Sequence, residues 1–372
     1  MSGQVRQYTS VEVCAGAGGQ AVGLHAAGFT HKALIEIDPH ACATLNHNVD
    51  RLGWSGCKVL EEDLNSFKVA DLELAEVKLD LLAGGVPCPP FSLAGKQLGR
   101  EDERDLFPAM LRMVHELKPR AVMIENVRGL LQPAHKFADY REYILEVLRD
   151  EGYTSCGWDV LEARDYGVPQ LRPRAILVAM REPYAAHFQA PRGVGGDYTT
   201  VAEALKDSMA QRFGTSARGR KAFQRWLDKA ELRGGVAPTL VGGSKKHGGA
   251  DLGPTRAKKA WAELGIDAMG VADDPDAMKD KKRDLYGKAG PKLTVAQAAL
   301  IQGFPADWEF MGRKTAAYRQ VGNAFPPPVA RAVGERILAA IKAGDDGAVP
   351  PAERSLGLLP PEEAPRQLAL TV

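Results

Sequence analysis

Strand-like and helix-like stretches alternate through the first half of this 372-residue chain, and each apolar strand runs into a glycine or a carboxylate. Ser10 to Cys14 leads into Gly16-Ala17-Gly18-Gly19, after which Gln20 to Ala27 has helical spacing with Gly28 as its stop. Lys32 to Ile37 reaches Glu36 and Asp38, Leu79 to Ala83 runs into Gly84-Gly85, and Ala121 to Ile124 runs into Glu125-Asn126. Leu106 to Leu117 lies between the last two with helical spacing. This order predicts an α/β chain built on a doubly wound, parallel sheet, with its functional residues at the carboxyl ends of the strands.

The pattern changes after the apolar run Ala175 to Ala179. Gly/Pro clusters and weak periodicity through about Pro291 predict a second, smaller, irregular unit. Order returns with Leu293 to Phe304, Val329 to Lys342 has an amphipathic helical pattern, and 344–372, rich in Pro, Ala and Glu, predicts a disordered tail. No run of about 18 apolar residues occurs and the N-terminus lacks an apolar stretch, so the expectation is a cytoplasmic protein without a membrane partner. Five cysteines, at 14, 42, 57, 88 and 156, show no C-x-x-C spacing, which excludes a disulfide framework or zinc ribbon and predicts no metal site. Net charge is +1, yet residues 211–260 carry twelve basic against three acidic side chains, leaving the rest of the chain at −8. Such concentration suits a surface facing a polyanion.

Gly16 to Ala21 fits a nucleotide-binding glycine turn, and Glu36 follows at the distance of a ribose-binding carboxylate. NAD, FAD and S-adenosylmethionine sites all begin in this way. The stretch Gly84-Gly85-Val86-Pro87-Cys88-Pro89-Pro90-Phe91-Ser92 sets a cysteine at a strand end inside a proline frame, the setting of a nucleophile. Glu125-Asn126-Val127 ends one strand and Gln170-Leu171-Arg172-Pro173-Arg174 opens another, supplying an acid and two cations.

Taken in this order, the motifs resemble those of the DNA (cytosine-5) methyltransferase family over about residues 1 to 342. The resemblance implies an S-adenosylmethionine-dependent methyltransferase fold with a smaller irregular target-recognition domain. Residues 1–181 would be the catalytic and cofactor-binding domain, 182–317 the recognition domain and hinge, and 318–343 a segment returning to the catalytic domain. It implies that S-adenosyl-L-methionine is held by Ala15, Gly16, Ala17, Gly18, Gly19, Glu36, Ile37, Asp63, Leu64, Gly85, Pro87, Leu106 and Asn323. Cys88 would be the nucleophile, Glu125 would grip the target base, and Arg172 and Arg174 would favour the thiolate. Leu293-Thr294, Leu300 to Pro305 and Gln320-Val321-Gly322-Asn323-Ala324 complete the series. Double-stranded DNA would be the partner, contacted by Ser92, Thr239, Lys245 and Lys246, with the loop from Ser92 to Glu103 as a lid over a flipped cytosine. The chain would act as a monomer, and a cognate restriction endonuclease is the further partner such an enzyme can have.

Three positions depart from the family pattern: Cys14 stands where phenylalanine is usual, Pro89 where Gln follows the nucleophile, and Gln297 where Glu is usual. Three other readings compete. An RNA cytosine-5 methyltransferase shares the catalytic motifs, a DNA-binding module would keep them as vestiges, and an NAD-dependent oxidoreductase explains only the glycine turn and Glu36.

Overall fold

The computed structural model describes residues 6–74, 78–87, 105–196, 198–242 and 251–351. Seven strands form one sheet: β1 (Tyr8–Val13), β2 (Phe29–Glu36), β3 (Lys58–Glu61), β4 (Leu81–Gly84), β5 (Ala121–Val127), β6 (Tyr153–Glu162) and β7 (Pro173–Arg181). Their spatial order is β3-β2-β1-β4-β5-β7-β6. Strand order therefore reverses between β1 and β4, and a crevice is expected outside the carboxyl ends of that pair.

Neighbours from β3 through β5 are parallel, as the strand–helix alternation requires, but β7 runs antiparallel to both β5 and β6. The reason is local. No long crossover separates β6 from β7, so the chain turns at the carboxyl edge and comes straight back. The start of β7 is thereby placed at the functional edge, with Arg174 opposite Val127 and Ala175 opposite Asn126.

The helices are α1 (Gly19–Ala27), α2 (Pro39–Arg51), α3 (Phe107–Leu117), α4 (Ala138–Asp150), α5 (Val201–Phe213), α6 (Ala217–Arg233), α7 (Thr255–Glu263), α8 (Lys281–Asp284), α9 (Val295–Gln302), α10 (Lys314–Asn323) and α11 (Pro327–Asp345). One face of the sheet, including Val11, Val13, Leu82 and Val122, packs against Phe107, Met110 and Val114 of α3 and Ile144 and Leu148 of α4. The other face, including Leu81, Ala83 and Met123, packs against Leu24 of α1 and Val329, Val333, Ile337 and Ile341 of α11. Those α11 positions recur every four residues, the one-face spacing of an amphipathic helix.

Small residues let α1 and α11 approach closely. A Cβ at Gly19 would lie 2.2 Å from the Phe325 carbonyl oxygen and one at Gly23 2.3 Å from that of Pro327. Residues 201–284 add no strand among the described residues; their periodicity is weak, yet two long helices form there. Their ends are signalled by caps rather than by an apolar stripe: Thr200 and Glu203 make a reciprocal capping box on α5, and Ser216 caps α6 before Gly234 ends it in a left-handed turn.

Candidate active site

A cleft of about 340 Å³ opens at the carboxyl ends of β1, β2, β4 and β5, at the reversal point of the sheet. Ala15, Gly16, Ala17, Glu36, Ile37, Gly85, Pro87, Leu106, Glu125 and Asn323 all line it. Thus residues drawn from six separate motifs of the sequence share one wall.

Each is held by a specific device. Gly16 has φ +53°, and a Cβ there would meet nothing within 4 Å, so its backbone is bare toward the cleft. Its N–H donates to Glu36 Oε2 at 2.7 Å, while Glu36 Oε1 accepts from Ile37 and Asp38 N–H at 2.9 Å each. Glu36 is thereby fixed at the end of β2. Gly18 and Gly19 are not cleft residues: they are buried where the turn meets the C-terminal part of the chain. A Cβ on Gly18 would lie 2.6 Å from the Trp308 ring, and Trp308 Nε1 donates to Ala17 O at 3.1 Å. Asp63 is exposed and Leu64 buried, and neither lines the cleft, although the charge of Asp63 is felt at Cys14.

The other side of the site is assembled between β4, β5 and β7. Arg174 Nε lies 2.8 Å from Glu125 Oε1, with the Glu125 side chain 14% exposed. Burial pushes the Glu125 carboxyl above its ordinary value, while Arg174 and, less strongly, Arg172 pull it down. A Cβ at Gly85 would stand 2.9 Å from Glu125 Oε2, so a glycine there leaves room for the carboxylate. Asn126 Nδ2 donates to Val86 O at 2.8 Å, and Leu106 N donates to Pro87 O at 3.5 Å. These bonds tie Val86 to β5 and Pro87 to the start of α3. Cys88, Ser92, Pro89 and the expected lid from Ser92 to Glu103 lie outside the described residues, as do Lys245 and Lys246.

Arg172 sits differently from Arg174. Only 1% exposed, it donates from Nη1 to Leu240 O at 2.8 Å and from Nη2 to Gly322 O and Ala324 O at 2.9 Å each. It therefore clasps β7, the 237–242 segment and the end of α10 together, each bond to a charged donor being worth about 1.5–3 kcal/mol. Thr239 is part of the same junction: its hydroxyl donates to Leu171 O at 2.6 Å, and Leu240 N donates to Gln170 Oε1 at 2.7 Å.

Cys14, Cys42 and Cys57 are not set up as thiolates. Cys14 lines the cleft in a left-handed conformation, φ +50°, where burial and then the charges of Glu36 and Asp63 push its thiol up to about 12. Cys42 and Cys57 are pushed to about 12 chiefly by burial, and Cys156 is buried. Gln297 satisfies its site without charge. It completes a capping box with Thr294, and its Nε2 donates to Ser208 Oγ at 3.0 Å.

Behind the glycine turn lies a buried polar group. Glu12 Oε1 is 3.3 Å from His31 Nδ1, Gln20 Nε2 donates to Glu12 Oε2 at 3.3 Å, and His31 Nε2 faces Ala21 O at 3.0 Å. Burial raises Glu12 to about 8 and lowers His31 to about 3, so both are neutral near pH 7. The unfolded chain gives up the Glu12 proton from about pH 4.5, whereas the folded chain holds it to about 8, so stability falls as pH rises through that window. Glu12→Gln keeps an acceptor for Gln20 Nε2 and has no proton to lose. Its stability advantage over wild type, measured by denaturant melts, is expected to be absent near pH 4.5 and to grow toward pH 8 to on the order of a few kcal/mol; a flat difference would refute it.

The sequence reading did not single out the α10 face. Ala316, Arg319, Gln320 and Asn323 all line the cleft; Gln320 and Asn323 belong to a motif of the sequence, but of the four only Asn323 is assigned there to the cofactor. Their i, i+3, i+4, i+7 spacing was visible as one face of a helix, but nothing in it said which way that face would turn.

A family model described as C-5 cytosine-specific DNA methylase matches residues 8–339. The chain is 51% identical over 338 residues to type II methyltransferase M.NaeI of Lentzea aerocolonigenes, covering 91% of this chain and 76% of that protein. It is 46% identical over 340 residues to type II methyltransferase M.NgoMIV of Neisseria gonorrhoeae, covering 90% and 99%. Among solved structures, the Entamoeba histolytica methyltransferase EhMeth superposes with a TM-score of 0.61 over 90% of this chain and 99% of its own at 16% identity, a likeness of fold.

Proposed function

Since the chain belongs to the C-5 cytosine-specific DNA methylase family, and so is a DNA (cytosine-5-)-methyltransferase that uses S-adenosyl-L-methionine and binds DNA, we propose how its own residues do the work. The observation that carries this reading is the shared cleft: the bare Gly16 backbone, the fixed Glu36 carboxylate and Glu125, paired with Arg174, come together at the reversal point of the sheet.

The cofactor fits the donor set. Glu36 offers a carboxylate for ribose hydroxyls, and Ala15, Gly16, Ala17, Ile37, Gly85, Pro87, Leu106 and Asn323 form walls for the rest. Gly18 and Gly19 serve by holding the turn against Trp308 and Phe325, while Asp63 and Leu64 lie outside the cleft lining. When bound, S-adenosylmethionine supplies the methyl group.

Cys88 is the nucleophile. Its sulfur bonds to carbon 6 of the cytosine ring while ring nitrogen 3 takes a proton from Glu125, so the ring gains no net negative charge. Carbon 5 of the resulting enamine then has the electron pair to accept methyl. Loss of the carbon-5 proton to a base returns the electrons, breaks the sulfur–carbon bond and frees Cys88 as a thiolate, while ring nitrogen 3 gives its proton back to Glu125. Burial of Glu125 suits it to carry the proton, and Arg174 holds its orientation. Arg172 supports the same edge through the carbonyls it clasps, and both arginines favour the Cys88 thiolate.

Flipping the cytosine out of duplex DNA costs roughly a few kcal/mol. Phosphate contacts from the basic 211–260 segment offset that cost, with Lys245 and Lys246 in a basic finger and Ser92 in the lid. Within residues 182–317 as the recognition domain, Thr239 sets the start of the reading surface against β7. The relatives are type II methyltransferases, and we assign this chain the same role: a cytoplasmic, monomeric modification enzyme that protects DNA from a cognate restriction endonuclease. Among the described residues no helix is long and apolar enough to cross a membrane.

Bisulfite sequencing of DNA from cells expressing the protein tests the activity. Protected cytosines are expected at one position within a short recurring sequence. Full conversion of every cytosine would overturn the reading.

A further inference from the structure

The cleft contains a guanidinium that the reaction above does not use. Arg319 is on the α10 face that lines the cleft, half-buried, and its side chain makes no hydrogen bond or ion pair among the described residues; its Nε is buried without a partner. The other charged groups around it are engaged. Glu36 accepts three backbone N–H groups, Arg174 pairs with Glu125, and Arg172 is spent on three carbonyls. A partly desolvated guanidinium with open donors is costly unless an acceptor arrives, and its planar fork matches a carboxylate.

The helix presenting it is rigidly held. Gln320 Oε1 accepts from Thr44 Oγ1 at 2.6 Å, Gln320 Nε2 donates to Met311 O at 2.9 Å, and the neighbouring Tyr318 is buried. Resting on the cofactor assignment above, we propose that Arg319 binds the carboxylate of S-adenosylmethionine and makes the enzyme selective for the intact amino-acid end of its cofactor. That carboxylate is the only anionic group the cofactor carries. Glu36 can receive ribose hydroxyls but repels a carboxylate, so the amino-acid end needs a separate cation, and Arg319 is the uncommitted guanidinium of this cleft among the described residues.

A DNA phosphate is the rival acceptor, because α10 also abuts the recognition segment: a Cβ at Gly242 would lie 2.5 Å from Arg319 O. Calorimetry without DNA separates the two, using S-adenosylhomocysteine and its decarboxylated counterpart S-adenosyl-3-thiopropylamine as probes. Arg319→Gln is expected to weaken S-adenosylhomocysteine binding by about tenfold or more, the loss of a hydrogen bond to a charged group. Binding of the decarboxylated probe should stay within about twofold, and Arg319→Lys should fall between Gln and wild type as a point charge without the fork. Equal losses for both probes, or no loss for either, would overturn the proposal. So would unchanged S-adenosylhomocysteine binding with a flatter salt dependence of DNA binding, which would move Arg319 to a phosphate. If Arg319→Gln does not fold, the same two-probe comparison on Arg319→Lys decides, with equal losses again overturning it. A wild-type protein that binds neither probe would strike at the cofactor assignment itself.

Discussion

Duplex DNA with 5-fluorocytosine at the target position is expected to form a denaturant-stable adduct with this protein in the presence of S-adenosylmethionine, and Cys88→Ala is expected to abolish it. Fluorine at carbon 5 cannot leave as a proton does, so the sulfur–carbon 6 bond cannot be released once methyl has been transferred. The effect is all or none. Alanine at Cys14, Cys42, Cys57 or Cys156 should leave the adduct intact. The structure gives the reason for the first three: a thiol held at about 12 is ionised at only about one part in 10⁵ at pH 7. Cys14 is the informative control, because it lines the cleft itself. Mapping the crosslinked peptide by mass spectrometry checks the assignment, and a crosslink at any cysteine other than Cys88 would sink it.

Glu125→Gln should lower methyl transfer at saturating cofactor and DNA by about 10²–10⁴-fold, the range of general acid–base groups. The substitution keeps size and leaves an acceptor for Arg174, so the fold of the β5–β7 edge is expected to survive. What it removes is the proton. Single-turnover rates across pH provide a second readout. Burial raises the Glu125 carboxyl, so the wild-type rate should decline on the alkaline side as that carboxyl loses its proton, and the Gln variant should lack this limb. A rate loss below about tenfold would take Glu125 out of the reaction.

Much of the framework was legible because it is written in local terms. Period and punctuation marked β1, α1, β4, β5 and α11, and the glycine or carboxylate after each strand marked the functional edge, since a parallel sheet brings successive carboxyl ends together whatever the long-range details. The chemical types at Gly16, Glu36, Glu125 and Arg174 were readable once their motifs were taken together in order along the chain.

Three features depended on tertiary structure. The direction of β7 is set by how the chain turns after β6, and only that reversal brings Arg174 to Glu125. The split between Arg172 and Arg174 could not be read from their shared motif: one is surrounded by carbonyls from Leu240, Gly322 and Ala324, contributed from 68 to 152 residues further along the chain, and the other faces a carboxylate. Likewise Gly16 and Gly19 look alike in the sequence, yet one is bare toward the cleft and the other is needed for the approach of Phe325. Local sequence determines which elements form and what chemistry each one carries; which side chains end up paired, buried or left open is decided by long-range packing, which brings distant segments of the chain against them.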